Sequence, residues 1–152
     1  MKQRVYIDTS VIGGRFDIEF REWSNALFNE FNSGKKIAVI SDLTLDELEE
    51  AKDEIRHQIE TIPQESKEYV LTRDESEILA DKYIKEKAVS LKYYEDALHI
   101  AIATIEKVDV LVSWNFKHIV NLDRIRKYNA VNLKNGYTMI EIRNPREIIN
   151  NK

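Results

Sequence analysis

Four oxygen-bearing side chains stand far apart in this sequence, each against an apolar segment that reads as buried structure. Asp8 closes the run Val5-Tyr6-Ile7, and Glu47 follows Val39-Ile40 within Ser41-Asp42-Leu43-Thr44-Leu45-Asp46-Glu47-Leu48. Asp96 opens Asp96-Ala97-Leu98-His99-Ile100-Ala101, and Asn115 follows Val110-Leu111-Val112-Ser113-Trp114. Strand ends and helix starts along one edge of an α/β sheet are where such folds build their sites. Oxygen ligands gathered there suit a hard divalent cation, Mg²⁺ or Mn²⁺. That combination points toward metal-assisted cleavage of a phosphodiester.

Each of these residues also has a plain structural reading. A carboxylate after a buried strand must be solvated, paired or metal-bound, because burying it alone is very costly. Asp8 is equally suited to capping a following turn or helix. Thr9 and Ser10 beside it offer hydroxyls to a metal-bound water or a phosphate. Thr44-Leu45-Asp46-Glu47 has the form of a capping box, with Thr44 as N-cap and Glu47 reaching back. Only its coincidence with the other acids draws Glu47 toward chemistry. Asp96 stands in the first turn of a helix, where exposed amides favour a carboxylate; lying beside the apolar stripe, it should face a cleft rim. His99, one turn later, reads as a satisfied core residue at a helix–sheet boundary. Asn115 is a weaker metal ligand than aspartate and serves equally well as a cap. Trp114 reads as a packing residue.

The elements that must position these groups alternate. Residues 4–8 read as a fully buried strand, followed by a tight loop at Gly13-Gly14 and a helix to about Asn32 that carries Trp23, Leu27, Phe28 and Phe31 on one face. Gly34 stops that helix, and Ile37-Ala38-Val39-Ile40 is a second strand. A helix over residues 44–60, a short strand near Tyr69-Val70-Leu71 and a helix over 74–87 come next. The clearest amphipathic helix spans 93–108. A strand over 109–113, a helix over 116–127 and a last strand over 137–142 precede a tail at Pro145. Alternation of this kind implies a central, mostly parallel sheet in a three-layer α/β/α domain.

Composition narrows the function classes. At 152 residues the chain suits one domain, 1–152, with a single core. With no cysteine, disulfides, thiolate zinc sites and a cysteine nucleophile are excluded. The apolar run before Asp8 is too short for a signal-peptide core and no stretch is long enough to span a membrane, so a cytoplasmic location is expected. Net charge of −4 argues weakly against a general nucleic-acid binder. A nuclease need not be basic overall if bound metal supplies local positive charge and its bases cluster, as they do from Lys117-His118 through Arg124, Arg126 and Lys127. Lys35-Lys36 reads as solvated surface charge. Walker A, GxGxxG, HExxH and GxSxG patterns are absent. An aspartyl-phosphate enzyme using Asp8 is a weaker reading, since Ser10 stands where such a site would want a second aspartate.

In their order and spacing, Val5-Tyr6-Ile7-Asp8-Thr9-Ser10-Val11-Ile12, the segment from Ser41 to Leu48, Asp96-Ala97-Leu98-His99-Ile100-Ala101-Ile102-Ala103 and the segment from Val110 to Asn115 resemble the PIN-domain family. Its VapC-like members are ribonuclease toxins of bacterial and archaeal toxin–antitoxin pairs. The resemblance covers nearly the whole chain. It implies a Mg²⁺ or Mn²⁺ site in which Asp8, Glu47 and Asp96 are the family's first three acids, and Asn115 falls where many members carry a fourth aspartate. It further implies an endoribonuclease hydrolysing RNA, the toxin of a type II pair, with a small antitoxin partner and a homodimeric state. Asp8 and Asp96 would hold the metal, Glu47 would ligate it or orient its waters, and Asn115 would bind a metal-coordinated water or the phosphate. The amide at position 115 weakens a second metal and supports an alternative, a catalytically degenerate PIN-fold module that binds protein or RNA.

Overall fold

In the computed structural model, which describes residues 1–149, five strands lie side by side and all parallel in the order β3-β2-β1-β4-β5. They are β1 (Gln3–Ile7), β2 (Lys36–Ser41), β3 (Lys67–Val70), β4 (Val110–Val112) and β5 (Ile142–Arg143). The chain builds outward from β1 through β2 to β3, then returns to β1's other side for β4 and β5. Strand order therefore reverses between β1 and β4, and a crevice opens there at the strands' carboxyl ends.

Strand pleating sends alternate side chains to two cores. Tyr6, Val39 and Leu111 face one, formed by the inner faces of α5 (Asp74–Lys85), α6 (Tyr94–Ile105) and α7 (Leu122–Lys134). Val5, Ile7, Ala38, Ile40, Val110 and Val112 face the other. That second layer is built on α1 (Thr9–Gly13), α2 (Arg21–Asn32) and the end of α3 (Asp42–Leu48), with the short α4 (Asp53–Arg56) and α8 (Pro145–Ile148) at its margin. The expected α/β/α layering with a parallel sheet is what forms. No helix among the described residues is long and apolar enough to cross a membrane.

Several expected boundaries differ, each for a local reason. α2 stops as expected: Gly34 takes φ +78, with Gly34 N–H bonded to Phe31 O and Lys35 N–H to Glu30 O, the paired bonds of a Schellman end. The helix expected over 44–60 is broken into α3, a turn, α4 and a 3-10 segment. Continuing it would set Glu49 against Asp53 and Glu50 against Glu54 at like-charged i,i+4 spacing. The helix expected over 116–127 begins only at Leu122, where Asn121 caps it by accepting from Arg124 N–H; residues 116–120 form a turn. The last strand, expected over 137–142, shrinks to Ile142–Arg143. Both backbone groups of Ile140 are taken by the buried Asn129 side chain, which accepts from its N–H at 2.7 Å and donates to its carbonyl at 3.1 Å. The tail at Pro145 forms α8, capped by Asn144 and Glu147.

Gly13-Gly14, expected as a loop, lies on a continuous helical path: α1 runs to Gly13 and a 3-10 turn follows. Glycine is needed at one of the two positions only. A Cβ on Gly14 would sit 2.6 Å from Ser24 Oγ and 2.7 Å from Trp114 Nε1, whereas one on Gly13 meets nothing within 4 Å. Gly14→Ala should therefore cost about 1–3 kcal/mol through overpacking, while Gly13→Ala, at helical φ −62, should be neutral or stabilising by up to about 1 kcal/mol. Urea unfolding midpoints of the two variants check this contrast.

Candidate active site

The crevice beside β1 is an open cleft of about 400 Å³ lined by Asp8, Thr9, Ser10, Glu47, Glu50, Asp96, His99 and Asn115. All four residues singled out from the sequence thus meet in one place. β1 and β4 deliver Asp8 and Asn115 from their carboxyl ends, α3 carries Glu47, and the first turn of α6 carries Asp96.

Asp8 is 5% exposed and every oxygen it buries has a partner. Oδ1 accepts from Ser10 Oγ at 2.6 Å and from Val11 N–H at 3.2 Å, the latter capping α1. The β1–β4 register, with Ile7 opposite Val112, brings Ser113 alongside, and its hydroxyl donates to Asp8 Oδ2 at 2.6 Å. Burial raises the Asp8 carboxyl above its ordinary pKa, against the pull of the His99 charge and these hydroxyls. Capping and cleft-lining are therefore both true of this residue.

The capping box expected at Thr44–Glu47 does not form. β2 runs on to Ser41, whose hydroxyl accepts from Thr44 N–H at 3.1 Å and is the real N-cap of α3. Thr44 instead donates to Ile7 O at 3.2 Å, tying α3 to the end of β1. This frees Glu47 Oε1 to accept from Thr9 Oγ1 at 2.6 Å and to meet His99 Nε2 at 2.8 Å. Burial pulls Glu47 upward, but the His99 and Thr9 hydrogen bonds and the imidazole charge win, holding it below the usual carboxylate range.

His99 is 2% exposed, a satisfied core histidine as expected, yet it also lines the cleft. Its Nδ1 lies 2.6 Å from Tyr6 Oη, which in turn lies 2.7 Å from Ser41 Oγ. Burial opposes a charge on the ring, but the Glu47 bond and the charges of Glu47, Asp8 and Asp96 prevail and raise its pKa. A buried polar line, Glu47–His99–Tyr6–Ser41, therefore runs from the cleft into the sheet. Tyr6, Ser41, Ser113 and Glu50 were not singled out in the sequence. Tyr6 and Ser113 sit in apolar strand runs where nothing marks a polar role, while Ser41, three residues before Thr44, offered an N-cap signal.

Asp96 is lifted as well. Its pKa is pushed up to about 6, chiefly by burial and by repulsion from Asp8 and Glu47, against the His99 charge and the Asn115 amide. Asn115 Oδ1 accepts from Lys117 and His118 N–H at 3.2 and 2.9 Å, so this residue also caps the 116–120 turn. Among the described residues no three acidic, histidine or cysteine side chains converge to cage a metal. The donor set is nonetheless one of hard oxygens with an excess of negative charge at Asp96. This suits Mg²⁺, which is commonly held by one or two carboxylates and its own waters; Asp8, Asp96 and Glu47 are the groups that could contribute.

With this geometry in hand, solved structures give the comparison. VapC20 from Mycobacterium tuberculosis, a toxin that cleaves the sarcin-ricin loop, superposes with TM-score 0.55 at 12% identity, over 75% of this chain and 92% of its own. VapBC2 from Rickettsia felis, bound to a DNA fragment from its promoter, matches at TM-score 0.55 and 15% identity, over 76% and 90%. The fold is PIN-like. No family model and no curated protein sequence matches the chain, so the PIN-like likeness is one of architecture.

The lifted Asp96 carboxyl gives a pH signature. Its folded pKa of about 6 lies above the ordinary 3.8, so the folded state holds the proton more tightly. The contribution of Asp96 to the stability of metal-free protein should then fall as pH rises from about 4 to about 7. In chelator, Asp96→Asn should melt higher than wild type near pH 8 and lose that advantage near pH 4, as thermal scans across pH would show.

Proposed function

We propose that this chain is a Mg²⁺- or Mn²⁺-dependent endoribonuclease, acting as the toxin of a toxin–antitoxin pair. The observation that carries it is the meeting of Asp8, Glu47, Asp96 and Asn115, from four separate segments, in one cleft at the sheet's switch point. Two carboxylates at raised pKa beside a third are costly to keep together, and a divalent cation offsets that cost. The PIN-like fold shared with a toxin that cleaves the sarcin-ricin loop supports RNA as the substrate.

On this reading Asp8 and Asp96 would hold the metal and Glu47 would ligate it or orient its waters. The ion would supply activation of water and neutralisation of charge developing on the phosphate. His99 and Thr9 keep Glu47 ionised and aimed into the cleft, Ser10 and Ser113 fix the Asp8 carboxylate, and the Asn115 amide is placed to bind the phosphate or a water. The likeness to VapBC2 supports a protein partner of the antitoxin kind, and a homodimeric state belongs to the same reading. A second reading, a binding module without catalysis, is favoured by Asn115: its carbonyl is already spent on capping the 116–120 turn.

The two readings separate in a cleavage assay on a mixed RNA pool with Mg²⁺, with Mn²⁺ and with chelator. Cleavage should require metal, and Asp8→Asn and Asp96→Asn should each reduce it by about 10³-fold or more, given the several kcal/mol of charge stabilisation at stake. Circular dichroism should show both variants folded. Full activity in either variant would end the assignment. Negligible Mn²⁺ binding by calorimetry, together with no cleavage, would leave the binding module.

A further inference from the structure

Beyond Asn115 the cleft rim continues as an aromatic and cationic surface that the cleavage chemistry leaves unused. Phe116, the next residue, is 46% exposed. Its ring lies 6.2 Å from that of Phe20 and 6.0 Å from that of Trp114, and those two are stacked on each other at 4.3 Å and 19°. Trp114 is fixed in turn: its indole N–H donates to Ser24 Oγ and its backbone N–H to Ser10 Oγ, both at 2.9 Å. Phe116 is thus braced from behind while showing ring surface to solvent, one residue from the cleft.

Across the same turn, His118 stacks on Tyr93 with ring centroids 3.5 Å apart, and Lys92 lies over the Tyr93 ring at 5.7 Å. Burial and the nearby charges of Lys117, Arg124 and Lys92 depress the His118 pKa, which places those cations around it. In a chain of net charge −4, positive charge therefore gathers on the turn that follows Asn115 of the acidic cleft.

We propose that this rim is a nucleotide subsite: an unpaired RNA base flanking the linkage in the cleft stacks on Phe116, and the adjoining phosphate is met by Lys117, the next residue along the exposed turn. The proposal rests on the nuclease reading and adds to it which residues hold the nucleotide beside the cut. A braced ring with cations alongside is the combination that binds single-stranded nucleic acid, and it tolerates any base because every base has a π face. The subsite therefore selects unpaired loops and strands over duplex. A protein partner is the other candidate occupant, but a surface of rings and cations matches base and phosphate chemistry on both counts.

The test measures two things on wild type, Phe116→Ala and Phe116→Tyr. In chelator, fluorescence anisotropy reads the affinity for a labelled single-stranded oligoribonucleotide and for the same strand in a duplex. With Mg²⁺, cleavage of the single strand is followed. Phe116→Ala should weaken single-strand binding by about 5- to 150-fold and leave duplex binding unchanged, while Phe116→Tyr retains wild-type affinity. Lys117→Gln should lower the salt dependence of binding. Phe116 is half-exposed, and matching melting temperatures would confirm that the variants fold. Equal single-strand affinity of wild type and Phe116→Ala overturns the subsite and leaves the patch to a protein partner. If cleavage persists in that case, the nuclease reading stands without the subsite. Binding that depends on Phe116 with no cleavage and negligible Mn²⁺ binding keeps the subsite and leaves the binding module, and neither binding nor cleavage of the oligonucleotide overturns the subsite.

Discussion

A carboxylate at the end of the central strand sets terms for everything around it. Asp8 is almost fully buried, and an ionised group there is tolerated only if its oxygens are met by donors. Those donors come from elsewhere in the chain: Ser10 and Val11 from α1, Ser113 from the end of β4. The β1–β4 register has to be the one observed for Ser113 to arrive. The helix that follows β1 has to start at once for Val11 N–H to reach the Asp8 carboxylate that caps it. The serine that serves the carboxylate also receives the Trp114 backbone N–H, so the loop carrying Asn115 is hung from the same group. Register, helix start and loop position are three consequences of one burial.

A second constraint operates on the other side of the cleft. Thr44 bonds to the carbonyl of Ile7, and Tyr6 reaches both Ser41 and His99. α3 and α6 are thereby referred to β1 through side chains rather than backbone pairing. Because these groups sit in well-packed interior, they leave the acids little freedom to spread apart when charged. Asp96 carries that burial, and with it the repulsion of Asp8 and Glu47, in its raised pKa. The negative potential of the cleft follows from positioning, and the cations near His118 stand just outside it.

Layering and parallel pairing were legible from the sequence because unbroken apolar runs at Val5–Ile7, Val39–Ile40 and Val110–Val112 alternate with longer amphipathic patterns. The gathering of Asp8, Glu47, Asp96 and Asn115 was legible for the same reason, since strand ends and helix starts share one edge. What the pattern did not show was which polar side chain would claim a given backbone group. Ser41 took the cap assigned to Thr44, and that exchange released Glu47 for the cleft. Asn115 took the amides of residues 117 and 118, so the following helix began later. Gly14 looked like loop material, while its actual requirement, room for an indole from a segment a hundred residues away, is a tertiary fact. Local competition among side chains and long-range crowding are both invisible to periodicity.

The clasp of Asn129 on Ile140 bears on how this molecule behaves in concentrated solution. An unpaired strand at a sheet margin is a template on which another chain can add, and proteins blunt such margins by keeping them short. Here a side chain occupies the hydrogen-bonding groups that an additional strand residue would have displayed, so the β5 margin presents only two residues. At the opposite margin β3 is four residues long and opens with Lys67 and Glu68. A wholly parallel sheet is thereby left with almost no sticky border, and self-association of the folded protein by strand addition is disfavoured at both ends.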